Sequence, residues 1–363
     1  MKILTVLGTR PEIIRLSLII KKLDQYADQH VLVHTGQNFM ATLSDIFFKE
    51  LNIRRPDYQI QIEQLTLGAQ LGTIYRELEK IIVVEKPDKM LVLGDTNSAL
   101  SALLAERLGI PVYHMEAGNR CFDLNVPEEK NRKVIDAVST FNLPYTANSR
   151  ENLVKEGIPL KKIFVSGNPI YEVLTHFTDE IAASTILTDL KLLEKNYFLV
   201  TVHRAENVDF AESLQEILTG LNLVATHFGL RMICSVHPRT RSKLNNMSGV
   251  TMHPLVEFHE PFGFFDFIKL QQNAFCVLTD SGTVQEESCI YHVPAVTVRN
   301  STERPETVEV GSNIVSGVDA NCIFRSVQVM TRENIQWPLP DGYQDLNVSA
   351  KVVKFILGGT GVV

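Results

Sequence analysis

The sequence predicts an α/β fold made of two doubly wound domains that face a central cleft. Short apolar runs alternate with longer segments of helical periodicity, which is the pattern of parallel strands joined by crossover helices. The chain has 363 residues, more than one hydrophobic core usually supports, so two domains are expected. Polar residues gather directly after the apolar runs, where open parallel sheets bind their ligands.

In the first half, the apolar runs predict five strands and the segments between them predict helices. The strands are expected at residues 2–8, 30–36, 89–95, 111–116 and 163–167, and the helices at 11–23, 69–85, 98–108, 128–138 and 149–156.

In the second half the same alternation continues, with four strands expected at 197–203, 230–237, 275–280 and 295–298. Helices are expected at 211–228, 263–272, 283–291 and 320–330. Glycine and proline interrupt the pattern at 167–169 and indicate a link. We therefore expect one domain at 1–168, joined by a C-terminal helical segment at 349–363, and a second domain at 169–348.

Composition excludes several classes of protein. The net charge of −7 argues against a nucleic-acid partner, and no apolar run reaches the roughly 18–20 residues that would predict a membrane span. The N-terminal MKILTVLG predicts a buried strand and lacks the features of a signal peptide. The five cysteines form no CxxC pair and no HExxH motif occurs, so we expect a cytoplasmic protein without metal or other cofactor.

Basic residues and a glycine turn follow two of the predicted strands. After the first strand, GTRPEIIR places Arg10 at the start of a helix and Arg15 five residues later. A helix N-terminus favours anions, although a salt bridge between Arg10 and Glu12 explains this stretch equally well. After the strand at 275–280, DSGTVQEES places Ser281 and Gly282 at a helix start, where free N–H groups can hold a diphosphate.

An acidic residue in this second helix indicates a nucleotide rather than a free phosphate. Glu287 lies further along the helix and can accept both hydroxyls of a ribose. The downstream TERPE motif offers Arg304 as a further cation. Two histidines also end strands of the second half, His203 in TVHRAEN and His237 in SVHPRTR, and Arg204 directly follows the first. A single histidine at such a place is usually structural, but two beside arginines favour an anionic ligand.

The strand ends of the first half carry acids instead. Asp95 lies in GDT, Glu116 in HMEAG and Glu128 in PEEKNR, with Arg132 one turn after Glu128. Charged residues of this kind often lie in a solvated loop. At the predicted cleft, however, these carboxylates would line one side and the cations of the second half would line the other. Cations and backbone donors would hold a nucleotide diphosphate, while carboxylates would transfer protons or bind sugar hydroxyls.

The motifs together resemble those of the non-hydrolysing UDP-N-acetylglucosamine 2-epimerases over essentially the whole chain. The matching motifs occur in the family's order: GTRPE, TGQ, GDT, EAG-R, PEE-NR, HR-EN, DSG-QEE and TERPE. The resemblance implies twin Rossmann-like halves of the glycosyltransferase B type, a UDP-sugar substrate and a homodimer. It also implies that UDP leaves first, that a 2-acetamidoglucal forms, and that UDP adds back after reprotonation of C2.

Carried over by motif, the resemblance assigns proton transfer to Asp95, Glu116 and Glu128 jointly, with His203 as an active-site histidine. By the same resemblance, nucleotide binding falls to Arg10, Ser281, Gly282 and Glu287, with Arg304 close by. The wider set of expected substrate-binding residues also includes Arg15, Arg132, Arg204 and His237.

Three alternatives remain open, of which one concerns the sugar and two concern the reaction. GTRPEIIRLS and HMEAGNRCFD look like a sub-branch that acts on UDP-2-acetamido-2,6-dideoxy-L-talose in capsule and O-antigen synthesis. A hydrolysing epimerase would release UDP and free sugar. A glycosyltransferase of the same fold would share the nucleotide site but has no need for three acids on the facing wall.

Overall fold

The computed structural model describes residues 1–37, 41–62, 66–236, 238–245, 251–332 and 336–358. Contacts between residues divide the chain into two compact units, Met1–His176 with Asp341–Val363, and Phe177–Pro340. Each unit contains one parallel sheet covered by helices.

Within the described residues, each sheet has six strands. The first sheet contains β1 (Lys2–Leu7), β2 (Gln29–His34), β3 (Tyr58–Gln59), β4 (Lys89–Leu93), β5 (Val112–Met115) and β6 (Phe141–Leu143). The second contains β7 (Tyr197–Thr201), β8 (Arg231–Ser235), β9 (Val256–His259), β10 (Cys276–Thr279), β11 (Ala295–Thr297) and β12 (Asn313–Val315). All neighbouring strands pair in parallel.

The strand orders are β3-β2-β1-β4-β5-β6 and β12-β11-β10-β7-β8-β9. Numbered within its own unit, each sheet therefore has the doubly wound order 3-2-1-4-5-6, which confirms the predicted fold class. In such a sheet the order reverses between the first and fourth strands, and ligands bind beyond their carboxyl ends. These positions are the ends of β1 and β4 in the first unit, and of β7 and β10 in the second.

The helices cover both faces of the sheets. In the first unit they are α1 (Arg10–Tyr26), α2 (Ala41–Glu50), α3 (Leu67–Glu85), α4 (Ser101–Arg107), α5 (Pro127–Val138), α6 (Ala147–Lys155) and α7 (Pro169–His176). The second unit has α8 (Thr178–Ala183), α9 (Ile186–Asp189), α10 (Ala205–Val208), α11 (Ala211–Phe228), α12 (Pro238–Asn245), α13 (Phe264–Asn273), α14 (Gly282–Ile290), α15 (Pro305–Glu309) and α16 (Ala320–Arg332). The last described helix, α17 (Val348–Leu357), belongs to the first unit.

The units divide eight residues after the boundary expected from the sequence, because α7 packs in the first unit. The Glu172 carboxylate of α7 accepts a hydrogen bond from the backbone N–H of Ser349 in α17 at 2.7 Å. Helix α17 also places Phe355 in a parallel stack on Phe164, with the ring centroids 4.3 Å apart. Residues 359–363 of the expected C-terminal segment lie outside the described residues.

One predicted strand is wrong. Residues 163–167 form no regular strand, and Ile163 makes an isolated parallel bridge to Asn142. The strand beside β5 is β6, which has three residues and ends before Pro144. The backbone N–H of Phe164 donates to the carbonyl of Asn142 at 2.9 Å, so the predicted segment runs along β6 without forming a regular ladder.

Candidate functional site

The turn that follows β1 is organised by a buried carboxylate. Glu12 accepts hydrogen bonds from the backbone N–H groups of Gly8 at 3.0 Å and Thr9 at 2.7 Å. Its other oxygen accepts from the Thr96 hydroxyl at 3.0 Å, which joins this turn to the loop after β4. Burial raises the pKa of Glu12 to about 7, although these hydrogen bonds oppose the rise. Arg10, which begins α1, places its guanidinium 5.7 Å from the ring centre of Phe47.

Arg15, in the second turn of α1, forms an ion pair with Glu116, which directly follows β5. Arg15 is buried in α1, and its guanidinium lies 5.6 Å from the ring centre of Tyr145. The Tyr145 hydroxyl lies 3.4 Å from the same Glu116 carboxylate oxygen that contacts Arg15. Glu116 follows β5 with a φ of 65°, a left-handed conformation that side chains rarely adopt. Strain of this kind is typical of residues held in place for function.

Arg132 joins the loop after β4 to the first turn of α5. Its Nε donates to the Asp95 carboxylate at 2.8 Å, and its Nη1 donates to Glu129 at 2.7 Å. The neighbouring Asn131 donates its side-chain amide to the backbone carbonyl of Asp95 at 2.8 Å. Asp95 keeps a partly exposed carboxylate, whereas Glu129 and Arg132 are buried.

The sequence predicts Glu128 as a site residue but not its neighbour Glu129. Glu128 is half-buried in the first turn of α5, where an acidic residue is favoured by the helix dipole. Glu129 is completely buried and accepts hydrogen bonds from the backbone N–H groups of Cys121 and Phe122 at 3.0 and 3.3 Å. The three-residue spacing between Glu129 and Arg132 was the available signal, since residues three apart meet on a helix.

In the second unit, Asp280 organises the position where the strand order reverses. Its buried carboxylate accepts hydrogen bonds from the backbone N–H groups of His203 and Arg204, both at 2.9 Å. The imidazole Nδ1 of His203 lies 3.4 Å from the other Asp280 oxygen. Asn207 donates to Asp280 at 3.0 Å and to the Val298 carbonyl at 2.9 Å. The loops after β7, β10 and β11 are therefore tied together around one carboxylate.

Helix α14 begins at Gly282 with Ser281 as its N-cap. The Ser281 hydroxyl lies 3.0 Å from that of Thr283. A Cβ atom added to Gly282 would lie 2.9 Å from a carboxylate oxygen of Glu303, so this turn has little room for a larger residue. Glu287 lies further along α14 and is buried.

The cations of the second unit face carboxylates. Arg204 donates to Glu303 at 3.1 Å, and buried Arg299 donates to the other oxygen of Glu303 at 2.9 Å. Arg304 is also buried and pairs with Glu286 of α14. The guanidinium charges of this region are thus held in fixed positions by acids that the sequence analysis did not single out.

The predicted site residues therefore fall into two sets that the fold builds separately. In the first unit, ion pairs join Arg15 to Glu116 and Arg132 to Asp95, while Arg10 begins α1 and Glu128 lies in the first turn of α5. In the second unit, His203 and Arg204 contact Asp280, which directly precedes Ser281 and Gly282 at the start of α14. Arg304 lies beside Gly282, and Glu287 lies further along α14. His237 lies outside the described residues.

Two further observations concern the described part of the chain alone. No group of three or more His, Cys, Asp or Glu side chains is arranged there to hold a metal ion. None of the helices described there is both long enough and apolar enough to cross a membrane.

A family model described as UDP-N-acetylglucosamine 2-epimerase matches residues 21–357 of the chain. A UDP-N-acetylglucosamine 2-epimerase of Methanocaldococcus jannaschii is 41% identical over 361 residues, which cover 94% of this chain and 95% of that protein. A UDP-2,3-diacetamido-2,3-dideoxy-D-glucuronate 2-epimerase of Pseudomonas aeruginosa is 37% identical over 340 residues, which cover 93% and 94% of the two chains.

The same similarity extends to a solved structure. The crystal structure of the M. jannaschii UDP-GlcNAc 2-epimerase in complex with UDP-GlcNAc and UDP superimposes with a TM-score of 0.92 at 38% identity. The superposition covers 99% of this chain and 100% of that chain.

Proposed function

The chain belongs to the UDP-N-acetylglucosamine 2-epimerase family, and we propose that it inverts C2 of a UDP-N-acetylhexosamine without net hydrolysis. The expected substrates are UDP-GlcNAc and UDP-ManNAc, or a 6-deoxy relative of them. The similarity to an epimerase named for a diacetamido-sugar supports a family in which the reaction is shared and the sugar varies.

The observation that carries this proposal is the pairing of two partly exposed carboxylates with two buried arginines in the first unit. Glu116 is paired with Arg15, and Asp95 with Arg132. Both carboxylates lie at the carboxyl ends of adjacent strands, β4 and β5, where a doubly wound sheet presents its ligand site. A site that only bound phosphate would have no use for acids at this position.

The chemistry requires two proton-transfer groups because C2 carries a hydrogen that no carbonyl acidifies directly. We propose that the bond between C1 and the UDP oxygen breaks first, and the electron pair leaves with UDP. A carboxylate then removes the C2 proton, and the C–H electrons form the C1=C2 double bond of a 2-acetamidoglucal. A second acid returns a proton to the opposite face of C2, and the UDP oxygen adds again to C1.

Asp95, Glu116 and Glu128 are the proposed proton-transfer groups. The roles of base and acid are assigned to the three carboxylates as a set. Positioned acids and bases of this kind contribute typically about 10²–10⁴-fold each to the rate. In the second unit, the N–H groups at the start of α14 would bind the diphosphate, and buried Glu287 would accept the ribose hydroxyls. Arg10 is proposed to stabilise the charge of the departing UDP, and His203 is proposed to be an active-site histidine.

The proposal is tested by proton NMR of the enzyme with UDP-GlcNAc in deuterated water. Epimerisation without hydrolysis places deuterium at C2 and forms UDP-ManNAc while total UDP-sugar stays constant. Release of UDP in proportion to turnover would identify a hydrolysing enzyme instead. The same assay with UDP-2-acetamido-2,6-dideoxy-L-talose decides between the sugars, and an absence of C2 exchange with every substrate would overturn the proposal.

We further propose that the protein is a homodimer, as the resemblance of its motifs implies, and that it is cytoplasmic, as its cysteine pattern indicates. Sedimentation velocity at several protein concentrations tests the dimer, and fractionation of expressing cells tests the location.

A further inference from the structure

A buried histidine connects the two loops that carry Asp95 and Glu116. His114 is the third residue of β5 and is completely buried. Its Nε2 lies 2.8 Å from the backbone carbonyl oxygen of Gly94, and its Nδ1 lies 2.8 Å from the carboxylate of Asp136 in α5. Both ring nitrogens therefore have a partner.

The nature of these partners fixes the protons on the ring. A backbone carbonyl can only accept a hydrogen bond, so Nε2 must carry a hydrogen. The second oxygen of Asp136 is surrounded by donors, the N–H of Gly118 at 3.1 Å and a guanidinium nitrogen of Arg120 at 2.7 Å. Although burial opposes it, the hydrogen bond with His114 and the neighbouring positive charges lower the pKa of Asp136. The carboxylate is therefore ionised and accepts a hydrogen from Nδ1 as well.

The charged groups that face the ring are Asp136 directly and Arg120 through Asp136. Glu156 accepts from Arg120 Nε at 2.9 Å and also lies 3.8 Å from the Lys133 ammonium. Since these further charges pair with one another, the protons on the ring follow from its two direct acceptors, the Gly94 carbonyl and the Asp136 carboxylate.

The His114–Asp136 pair contacts the backbone of both loops, His114 at Gly94 and Asp136 at Gly118. Gly94 directly precedes Asp95, and Gly118 lies two residues after Glu116. Gly94, Glu116 and Gly118 all have left-handed backbone conformations, with φ of 74°, 65° and 77°. Because such turns have no regular ladder to hold them, hydrogen bonds to Gly94 and Gly118 fix their direction.

We propose that His114 and Asp136 form an imidazolium–carboxylate pair that positions Asp95 and Glu116 for proton transfer at C2. His114 is thus a positioning residue for the reaction, and this role rests on the proposed function. Misplacing a reacting group by about 1 Å can lower the rate about 10²-fold, so the pair affects kcat more than binding.

The test compares His114→Gln with His30→Gln. A glutamine has one donor nitrogen and cannot serve the two acceptors on opposite sides of the ring. His30 is the matched control because it also joins a carboxylate and an oxygen, with Nδ1 2.6 Å from Asp24 and Nε2 2.9 Å from the Thr5 hydroxyl. It lies at the start of β2, three strand positions away from β5 in the same sheet.

We expect His114→Gln to lower kcat about 10²-fold, with KM and the Kd for UDP within about twofold of wild type. The deuterium isotope effect on kcat with 2-deuterated UDP-GlcNAc should rise, because proton transfer becomes more rate-limiting. His30→Gln should leave kcat and the isotope effect unchanged. A variant that is merely partly unfolded would lose active enzyme without changing the isotope effect, and that result would overturn the proposal.

Nitrogen-15 NMR of the imidazole rings in the wild-type protein tests the pair without any assay of activity. Both nitrogens of His114 should show the protonated, imidazolium type of resonance at pH 7.5, and Asp136→Asn should convert one of them to the unprotonated type. An unprotonated nitrogen in the wild type would overturn the proposal. If the wild type fails to epimerise any UDP-sugar, the proposed function fails, and this spectrum still decides whether the pair exists.

Discussion

The Arg132 guanidinium contacts one oxygen of the Asp95 carboxylate through two nitrogens, Nε at 2.8 Å and Nη2 at 2.7 Å. Its third nitrogen, Nη1, donates to buried Glu129 at 2.7 Å. Arg132 thus neutralises the buried Glu129 carboxylate, and it orients the partly exposed Asp95 carboxylate. Lysine could not replace it, because a single ammonium cannot make contacts in two fixed directions.

The first prediction concerns this arginine. Arg132→Met leaves the Glu129 charge buried without its partner, so the free energy of unfolding should fall by about 3–5 kcal/mol. The double variant Arg132→Met/Glu129→Gln should recover part of the loss because the buried charge is gone. Urea denaturation measures wild type, Arg132→Met, Glu129→Gln and the double variant. Arg76→Met, at an exposed arginine of α3, is the control and should change stability by less than about 0.5 kcal/mol. A double variant as unstable as the sum of both single variants would contradict the coupling.

The second prediction concerns the carboxylates themselves. Asp95→Asn and Glu116→Gln keep the size of each side chain but remove its ability to accept a proton. Each should lower kcat by at least about 10²-fold, with the Kd for UDP within about twofold of wild type. Turnover is measured by NMR and UDP binding by calorimetry. Glu77→Gln is the control, since that carboxylate pairs only with side chains at the surface of α3. If both site variants also lost UDP binding, their role would be structural.

The sequence predicted the interior of both sheets and missed their edges. Within the described residues, all eight interior strands coincide with predicted apolar runs. The strands that were missed, β3, β6, β9 and β12, are the outer strands of the two sheets. They have two to four residues each and pair on one side only, so they need no continuous apolar run. Edge strands of this length leave no periodic signal in the sequence.

The sequence also predicted which strand ends carry polar groups, but it could not predict their partners. The ion pair between Arg15 and Glu116 joins residues 101 positions apart. Spacing along the chain carries no information on such a contact, which depends on the order of strands in the sheet. The sequence did not predict a role for His114 for a related reason, because a histidine inside an apolar strand resembles a core residue. Its function becomes visible only when Gly94 and Asp136 are placed beside it.

The third prediction concerns the start of α14. In Gly282→Ala the added Cβ would lie 2.9 Å from a carboxylate oxygen of Glu303, which would have to move away from Arg204 and Arg299. Overpacking of this kind typically costs about 1–3 kcal/mol. We expect the affinity for UDP to fall about tenfold, equivalent to about 1.4 kcal/mol, as measured by calorimetry.

The control for this variant is Gly72→Ala in α3, where an added Cβ meets nothing within 4 Å. Alanine is favoured over glycine inside a helix, so this variant should bind UDP normally and gain about 0.5–1 kcal/mol of stability. Equal UDP affinity in both variants would show that the α14 turn does not bind the diphosphate.

The fourth prediction follows from burial of Glu12, which raises its pKa from an ordinary value near 4.5 to about 7. Between these two values the folded protein holds a proton that the unfolded chain has lost, so stability must fall as the pH rises through this range. Above about pH 7 both states are ionised, and the folded state carries the whole cost of the buried charge, about 3 kcal/mol. Glu12→Gln is neutral at every pH and avoids this cost.

Urea denaturation at pH 4.5, 5.5, 6.5 and 8 measures the difference in unfolding free energy between Glu12→Gln and wild type. That difference should move in favour of the variant by about 3 kcal/mol across the series. Glu79→Gln, at an exposed position of α3, should follow the wild-type curve at every pH. Parallel curves for Glu12→Gln and wild type would mean that Glu12 is already ionised at the acid end. The hydrogen bonds from Gly8, Thr9 and Thr96 would then outweigh the effect of burial.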